Sequence, residues 1–232
     1  MSRLLVVQNH PGGGPGRFGD WLAADGLSLD VVHAYAGAPL PRRLTHRGVM
    51  VLGGGYLPDD DVRAPWLAPT RALVAEALER EVPVFGICLG GQLLARVAGG
   101  TVQADHGTPE FGSTPLSLRP EAGGDPLFRG LPERVTAVEH HVDAVTALPP
   151  GAAWLMESAG CPYQAFRVGE RAWGVQFHPE ADADRVRSWD PERMRALGLD
   201  PAELRRRADR DEPAAGAVWR EVARRFAAVV VA

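Results

Sequence analysis

The chain has 232 residues, with 25 Lys+Arg against 29 Asp+Glu and a formal net charge of −4. That balance argues against a nucleic-acid binder, which needs an excess of basic groups to displace phosphate counterions. A hydrophobic content of 45% and a charged content of 23% exclude wholesale disorder and collagen-like order, and the length allows a substantial core.

Short β-branched runs alternate with longer helix-period segments, the pattern of a parallel sheet covered by helices. Residues 3–8 read as a first strand, followed by a Gly-rich turn at 11–16 and a helix over 17–25 with Phe18, Trp21 and Leu22 on one side. Residues 27–33 and 48–52 read as the second and third strands. A helix is expected over 69–80, with Leu73, Val74, Ala77 and Leu78 as its apolar stripe. The fourth strand, 82–87, runs into Cys88, and a helix over 89–98 is stopped by Gly99 and Gly100. In the middle third, Pro and Gly break short extended runs at 117–118, 135–138 and 153–156, read as antiparallel strands; 163–168 and 172–176 form a hairpin pair around Gly169. The last fifty residues are helical and Arg-rich, with start signals at Asp190-Pro191 and Asp200-Pro201. No repeat or disordered linker is visible, so one domain over 1–232 is expected, with a helical tail over 183–232.

Two cysteines cannot build a disulfide framework, which points to a reducing compartment. The N-terminal run Leu4, Leu5, Val6, Val7 is too short for a signal-peptide core, and no stretch approaches the roughly 18 apolar residues of a membrane span. A cytoplasmic location is the expectation. Every basic residue is Arg, which excludes a phosphate-loop lysine and a Schiff-base lysine.

The strongest chemical signal is GICLGGQ at 86–92, a Cys between a buried strand and a helix with small residues on both sides. This is the pattern of a nucleophile elbow, whose sharp turn lifts the side chain above the sheet, with Gly86 and Gly90 letting the chains pass closely. The helix start also leaves backbone N–H groups free for an anion. A nucleophilic Cys needs a base, and in GVQFHPE a strand ends at His178, with Glu180 two residues on and able to orient the imidazole. His10, His33, His46 and His106 carry no such context and are read as ordinary surface or core histidines. In VMVLGGGYL a buried strand ends at Gly53, Gly54 and Gly55, where a backbone N–H can approach a reacting carbonyl alongside the N–H of Leu89. The PGGGPG segment at 11–16 lacks a Lys and the phosphate-loop spacing and is read as a turn. Neither CxxC nor HExxH occurs, so no metal site is expected. Arg205 to Arg207 with Arg210 read as a solvated helix face.

In that order GGG, GxCxGxQ and HPE resemble the class I (triad) glutamine amidotransferases, specifically stand-alone members similar to the glutaminase domain of GMP synthase. PEFG at 109–112, HHVD at 140–143 and CPYQAF at 161–166 match further blocks of that group. The resemblance implies a flavodoxin-like, doubly wound and mainly parallel α/β sheet flanked by helices, with a small antiparallel segment. It implies hydrolysis of the glutamine side-chain amide without a cofactor. Cys88 would be the nucleophile, His178 the base and Glu180 its holder; Gly54 and Leu89 would form the oxyanion hole. Gln92, Val142 and Asp143 would border bound glutamine. Gly55 stands where the family often has Pro, and Val142 where it often has Gly. The chain contains no pyrophosphatase-type SGGxDS loop, so ammonia would pass to a separate synthetase subunit. The same nucleophile also suits a stand-alone hydrolase of γ-glutamyl compounds. A non-catalytic regulatory module is the third reading, against which the intact Cys, His and Glu speak.

Overall fold

The computed structural model of the chain describes residues 2–232. Its first half alternates strand and helix: β1 (Ser2–Gln8), α1 (Gly16–Ala24), β2 (Leu27–His33), β3 (Gly48–Val51), α2 (Leu67–Glu79), β4 (Val84–Ile87) and α3 (Leu89–Val97). Then come β5 (Thr101–Gln103), β6 (Glu110–Leu118), β7 (Arg134–His141), β8 (Ala144–Ala147), β9 (Ala153–Glu157), β10 (Ala165–Val168) and β11 (Ala172–Val175). The chain finishes with α4 (Ala183–Arg187), α5 (Pro191–Ala196) and α6 (Pro201–Val231). A nine-stranded sheet runs β2-β1-β3-β4-β11-β10-β9-β6-β7, and β5 and β8 form a separate pair. The pairings from β2 to β11 are parallel, and those from β11 to β7 are antiparallel.

The order β2-β1-β3-β4-β11 is the flavodoxin-like doubly wound arrangement, and the alternation within each strand explains it. In β1, Leu4 and Val6 face one side, where Phe18 and Leu22 of α1 and Trp219, Val222 and Phe226 of α6 cover them. Leu5 and Val7 face the other, against Leu73, Val74 and Ala77 of α2 and Leu93 and Leu94 of α3. Both faces of these strands are therefore dry, which is why they read as near-continuous apolar runs. Each fully buried Leu, Val or Phe contributes roughly 1.5–3 kcal/mol relative to exposure.

The antiparallel strands are longer than their sequence suggests: β6 has nine residues and β7 eight, paired from Glu110–His141 to Ser117–Arg134. Pro115 had broken the pattern, but it falls where β6 has β7 on one side only, so a residue without an N–H is tolerated. These strands extend the main sheet. The hairpin around Gly169 forms as expected, with Ala165 opposite Val175. In the tail, Asp190 and Asp200 accept hydrogen bonds from the Glu192 and Ala202 N–H groups, capping α5 and α6. The tail's last helix runs unbroken for 31 residues through Pro213. Arg206 and Arg210 pair with Glu203 and Asp211 on its exposed face. Among the described residues, no helix is long and apolar enough to cross a membrane.

Candidate active site

The carboxyl ends of β1, β3, β4 and β11 meet at one edge of the sheet, the place where open α/β sheets bind ligands. Cys88 joins β4 to α3 with φ 50° and ψ −108°, a left-handed conformation that costs on the order of 1–3 kcal/mol for a residue with a side chain. The turn is held from both sides. Its N–H donates to the Val175 carbonyl at 2.8 Å, and α3 lies so close that a Cβ on Gly90 would stand 2.0 Å from the Val51 carbonyl oxygen. A Cβ on Gly86 would meet the Gly90 carbonyl at 2.4 Å. Backbone contact on this scale is possible only for glycine, which explains the small residues around Cys88.

His178 follows β11, and its N–H donates to the Val138 carbonyl of β7 at 2.8 Å. Its Nδ1 lies 2.7 Å from Glu180 Oε1. That leaves Nε2, buried and without another hydrogen-bond partner, for the Cys88 thiol. Burial by itself would lower the His178 pKa; Glu180 and Cys88 together outweigh it and hold the imidazole well above its usual value. Gly53 makes room for the ring, since a Cβ there would be 2.9 Å from His178 Cε1. The structure thus brings Cys88, His178 and Glu180 together in one line.

Two residues far apart in sequence brace the His-Pro-Glu loop. Arg17 Nε donates to the Pro179 carbonyl at 3.0 Å and its guanidinium pairs with Glu212 of α6, whose other oxygen accepts from the Ala183 N–H. Gly16, with φ +48°, sits so tightly against Glu180 that a Cβ would be 2.3 Å from the Glu180 carbonyl oxygen. The Gly-rich 11–16 segment is therefore a turn, as expected, but one that lines the cleft.

The glycine triplet lies beside Cys88. Asn9 Nδ2 donates to the Leu52 carbonyl at 2.7 Å, tying the end of β1 to the residue before the triplet. Among the described residues, the Gly54 N–H has no backbone acceptor, and Leu89 is the first residue of α3, whose N–H has no carbonyl in its own helix. Gly55 has nothing within 4 Å of a hypothetical Cβ. Gln92 lines the cleft, but its Nε2 is spent on the Asp143 carbonyl and Gln176 Oε1, each at 3.1 Å. Val142 and Asp143 line the cleft too. The Asp143 carboxylate accepts from the Asp105 N–H and its carbonyl from Gln92, so it serves the protein before any ligand.

Gln176 escaped the sequence reading. Its Nε2 stands 3.6 Å from Cys88 Sγ and its Oε1 accepts from Gln92, so it links Cys88 to the pocket wall. The signal was present, since Gln176 and His178 are two apart at a strand end and share a face. A second polar cluster also escaped it. His141 Nε2 lies 3.2 Å from Glu110 Oε2 and 3.4 Å from Glu139 Oε2, and its Nδ1 is 3.1 Å from the Asp143 carbonyl. Gln164 and Ser158 donate to the same Glu110 oxygen. Donor atoms of Glu110, His141 and Cys161 lie within 4.8 Å of one another. Burial and the neighbouring Glu110 push the Glu139 carboxyl well above its ordinary pKa, while burial pushes the Cys161 thiol up to about 12. The open site is a cavity of about 850 Å³ whose lining includes Gln92, Cys88, His178, Trp189 and Arg193.

Comparisons with known proteins agree with this geometry. The family model for glutamine amidotransferase class-I matches residues 21–188. The chain is 38% identical over 191 residues to GMP synthase [glutamine-hydrolyzing] of Thermus thermophilus, covering 75% of this chain and 35% of that one. It is 43% identical over 136 residues to the Porphyromonas gingivalis GMP synthase [glutamine-hydrolyzing], covering 58% and 25%. It therefore spans about a third or less of the length of these relatives. The crystal structure of a glutamine amidotransferase from Thermotoga maritima superposes with a TM-score of 0.87 at 27% identity, over 97% of this chain and 98% of that one. That of a glutamine amido transferase from Methylobacillus flagellatus gives 0.81 at 28%, over 100% and 94%. With its motifs, its sheet order and the family match over most of its length in accord, the chain belongs to the class-I glutamine amidotransferase family.

Proposed function

We propose that this protein hydrolyses the side-chain amide of glutamine to glutamate and ammonia. The observation that carries the reading is a His178 imidazole held by Glu180 at Nδ1 and free at Nε2 beside Cys88, on a strained elbow that opens into the cleft. Cys88 Sγ attacks the carboxamide carbon. The thiol proton passes to His178, whose raised pKa favours the ion-pair form, and His178 gives it to the departing nitrogen. Glu180 keeps the ring oriented and stabilises its positive charge. The Gly54 and Leu89 N–H groups meet the oxyanion, and each such donor is worth about 10²- to 10³-fold in rate. Water then cleaves the thioester. Gln92, Val142 and Asp143 border the amino-acid end of the substrate.

By analogy with the GMP synthase [glutamine-hydrolyzing] relatives, the ammonia is assigned to a synthetase, with a cytoplasmic location as part of the same reading. The test is to incubate the protein with L-glutamine beside a Cys88→Ala variant and measure glutamate and ammonia. Release that vanishes in the variant supports the reading; release that persists in it, or none from either, sinks it.

A further inference from the structure

Gln176 stands directly after β11, two residues before His178. In this stretch Trp173, Val175 and Phe177 enter the core with Phe18 of α1 and Trp219 and Phe226 of α6, so Gln176 and His178 face the other way, toward α3. The helix presses on β11 so closely that a Cβ on Gly91 would stand 2.6 Å from the Val175 carbonyl oxygen. That contact sets Gln92, the next residue of α3, against Gln176, and each is only 3% exposed. An amide buried to this extent is costly unless both of its ends are hydrogen-bonded.

The direction of those bonds is fixed by a backbone group. The Asp143 carbonyl can only accept, so the Gln92 group 3.1 Å from it is the NH2 end. The same nitrogen lies 3.1 Å from the Gln176 amide, which therefore presents its oxygen to Gln92 and its own NH2 to Cys88 Sγ at 3.6 Å. Among the described residues, Sγ is the one hydrogen-bond partner of that NH2, and no other side-chain amide or hydroxyl reaches Sγ. A neutral thiol is a weak acceptor, whereas bonds to an ionised acceptor are roughly twice as strong as neutral ones. The Gln176 donor is fully used only when Cys88 is a thiolate. The titratable groups close to the thiol are His178 and Glu180 of the loop after β11 and Glu139 of β7; residues 89–92 of α3 and the glycine triplet after β3 bring none. With the Glu139 carboxyl pushed up by burial, His178 is the charge that Sγ meets and Gln176 the neutral donor beside it.

We propose that Gln176 is a positioning residue for Cys88: the Asp143 carbonyl, acting through Gln92, aims the Gln176 N–H at Sγ, and this bond holds the thiolate in place and favours it over the thiol. The proposal rests on the Cys88 chemistry given above and deepens it. The bond serves before the attack, when Sγ ionises, and again when water cleaves the thioester and the charge returns to Sγ.

The test is the pH dependence of Cys88 alkylation by iodoacetamide, with no glutamine present and the Cys88→Ala protein as blank. Silence of Cys161, which burial keeps protonated, marks the folded state in each sample. Gln176→Met keeps the side-chain length and removes the donor. Its alkylation midpoint should lie about one pH unit above that of the wild type, an about tenfold loss of thiolate at a given pH, as for a hydrogen bond to a charged group. In glutamine hydrolysis kcat should fall only about threefold, since a less stabilised thiolate is the better nucleophile and regains about half of the loss. KM should move less than about twofold, because the Asp143 carbonyl still holds Gln92. Gln176→Glu can still accept from Gln92 with one oxygen while the other sets a negative charge against Sγ, so its midpoint should lie above that of Gln176→Met. A residue that merely supports Gln92 predicts the reverse: Gln176→Glu like the wild type, and a raised KM at unchanged kcat in Gln176→Met. That pattern, or a midpoint that moves in neither variant, overturns the proposal. Alkylation needs no turnover, so a protein that ignores glutamine yet shows both shifts sinks the glutaminase reading and supports the Gln176 bond.

Discussion

The molecule holds two clusters of Cys, His and Glu, and they differ in which side-chain atoms the protein leaves unpaired. Cys88, His178 and Glu180 stand at the carboxyl edge of the parallel strands; Glu110 of β6, Glu139 and His141 of β7, and Cys161 are buried together. His178 has one nitrogen engaged and one free, whereas both nitrogens of His141 lie within hydrogen-bonding distance of the protein. Cys88 occupies a strained backbone at a helix start and opens to the cavity. Cys161 has neither feature, and burial keeps its thiol protonated. Residue types alone therefore do not define a triad. An unsatisfied ring nitrogen and an accessible thiol do.

The largest effect that tests this contrast is loss of the proposed nucleophile, Cys88. Cys88→Ala should reduce ammonia release from glutamine by at least about 10⁴-fold, as removal of a catalytic nucleophile does, while Cys161→Ala should change kcat/KM less than about twofold. Comparable losses from both would erase the distinction. Next come the carboxylates. Glu180→Gln should lower kcat by about 10²- to 10⁴-fold by releasing the His178 orientation. Glu110→Gln should leave kcat nearly unchanged and instead lower stability by about 1–3 kcal/mol in urea unfolding, because Gln164, Ser158 and His141 lose a common charged acceptor.

The pH dependence sharpens the contrast further. His178 has a raised pKa in the folded state, so its contribution to stability is complete below about 6.5 and is lost as pH rises through the higher native value. The alkaline limb of kcat/KM should accordingly lie well above pH 6.5 and move down in Glu180→Gln. Glu139 has the opposite sign. It is a carboxyl raised by burial, so the native state holds its proton longer than the unfolded chain and stability falls as pH rises from about 4.5 toward its native pKa. Glu139→Gln should flatten that fall and stabilise the protein at pH 7 by about 1–3 kcal/mol; a Tm difference from wild type that does not change between pH 5 and 8 would contradict it. The smallest effect belongs to the tail. Asp200→Ala should cost about 1 kcal/mol through the lost cap of α6, with glutaminase activity per folded molecule unaffected.

The elbow was legible because a buried run, a Cys and closely spaced glycines permit few local geometries. The His-Pro-Glu motif was legible for the same reason, with two functional groups two residues apart beyond a strand. The lengths of β6 and β7 were not, because Pro115 and Gly112 interrupt the alternation and cross-strand pairing overrides that local preference. Nor was the Arg17–Glu212 brace, which joins positions nearly 200 residues apart without any local pattern. Glu139 looked like one more charged residue of β7, and its complete burial follows only from the packing of β6 and β7 against the loop carrying Cys161.

By itself the sequence determined the parallel α/β half, the strand–Cys88–helix turn and the pairing of His178 with Glu180, because each is written in residues within a turn or two of one another. Tertiary structure alone decided which Cys–His–Glu set opens to the cleft and which residues line that cleft. Those properties depend on which distant surfaces cover one another. Backbone preference and short-range spacing constrain only neighbours in the chain, whereas burial and electrostatic compensation are settled by neighbours in space.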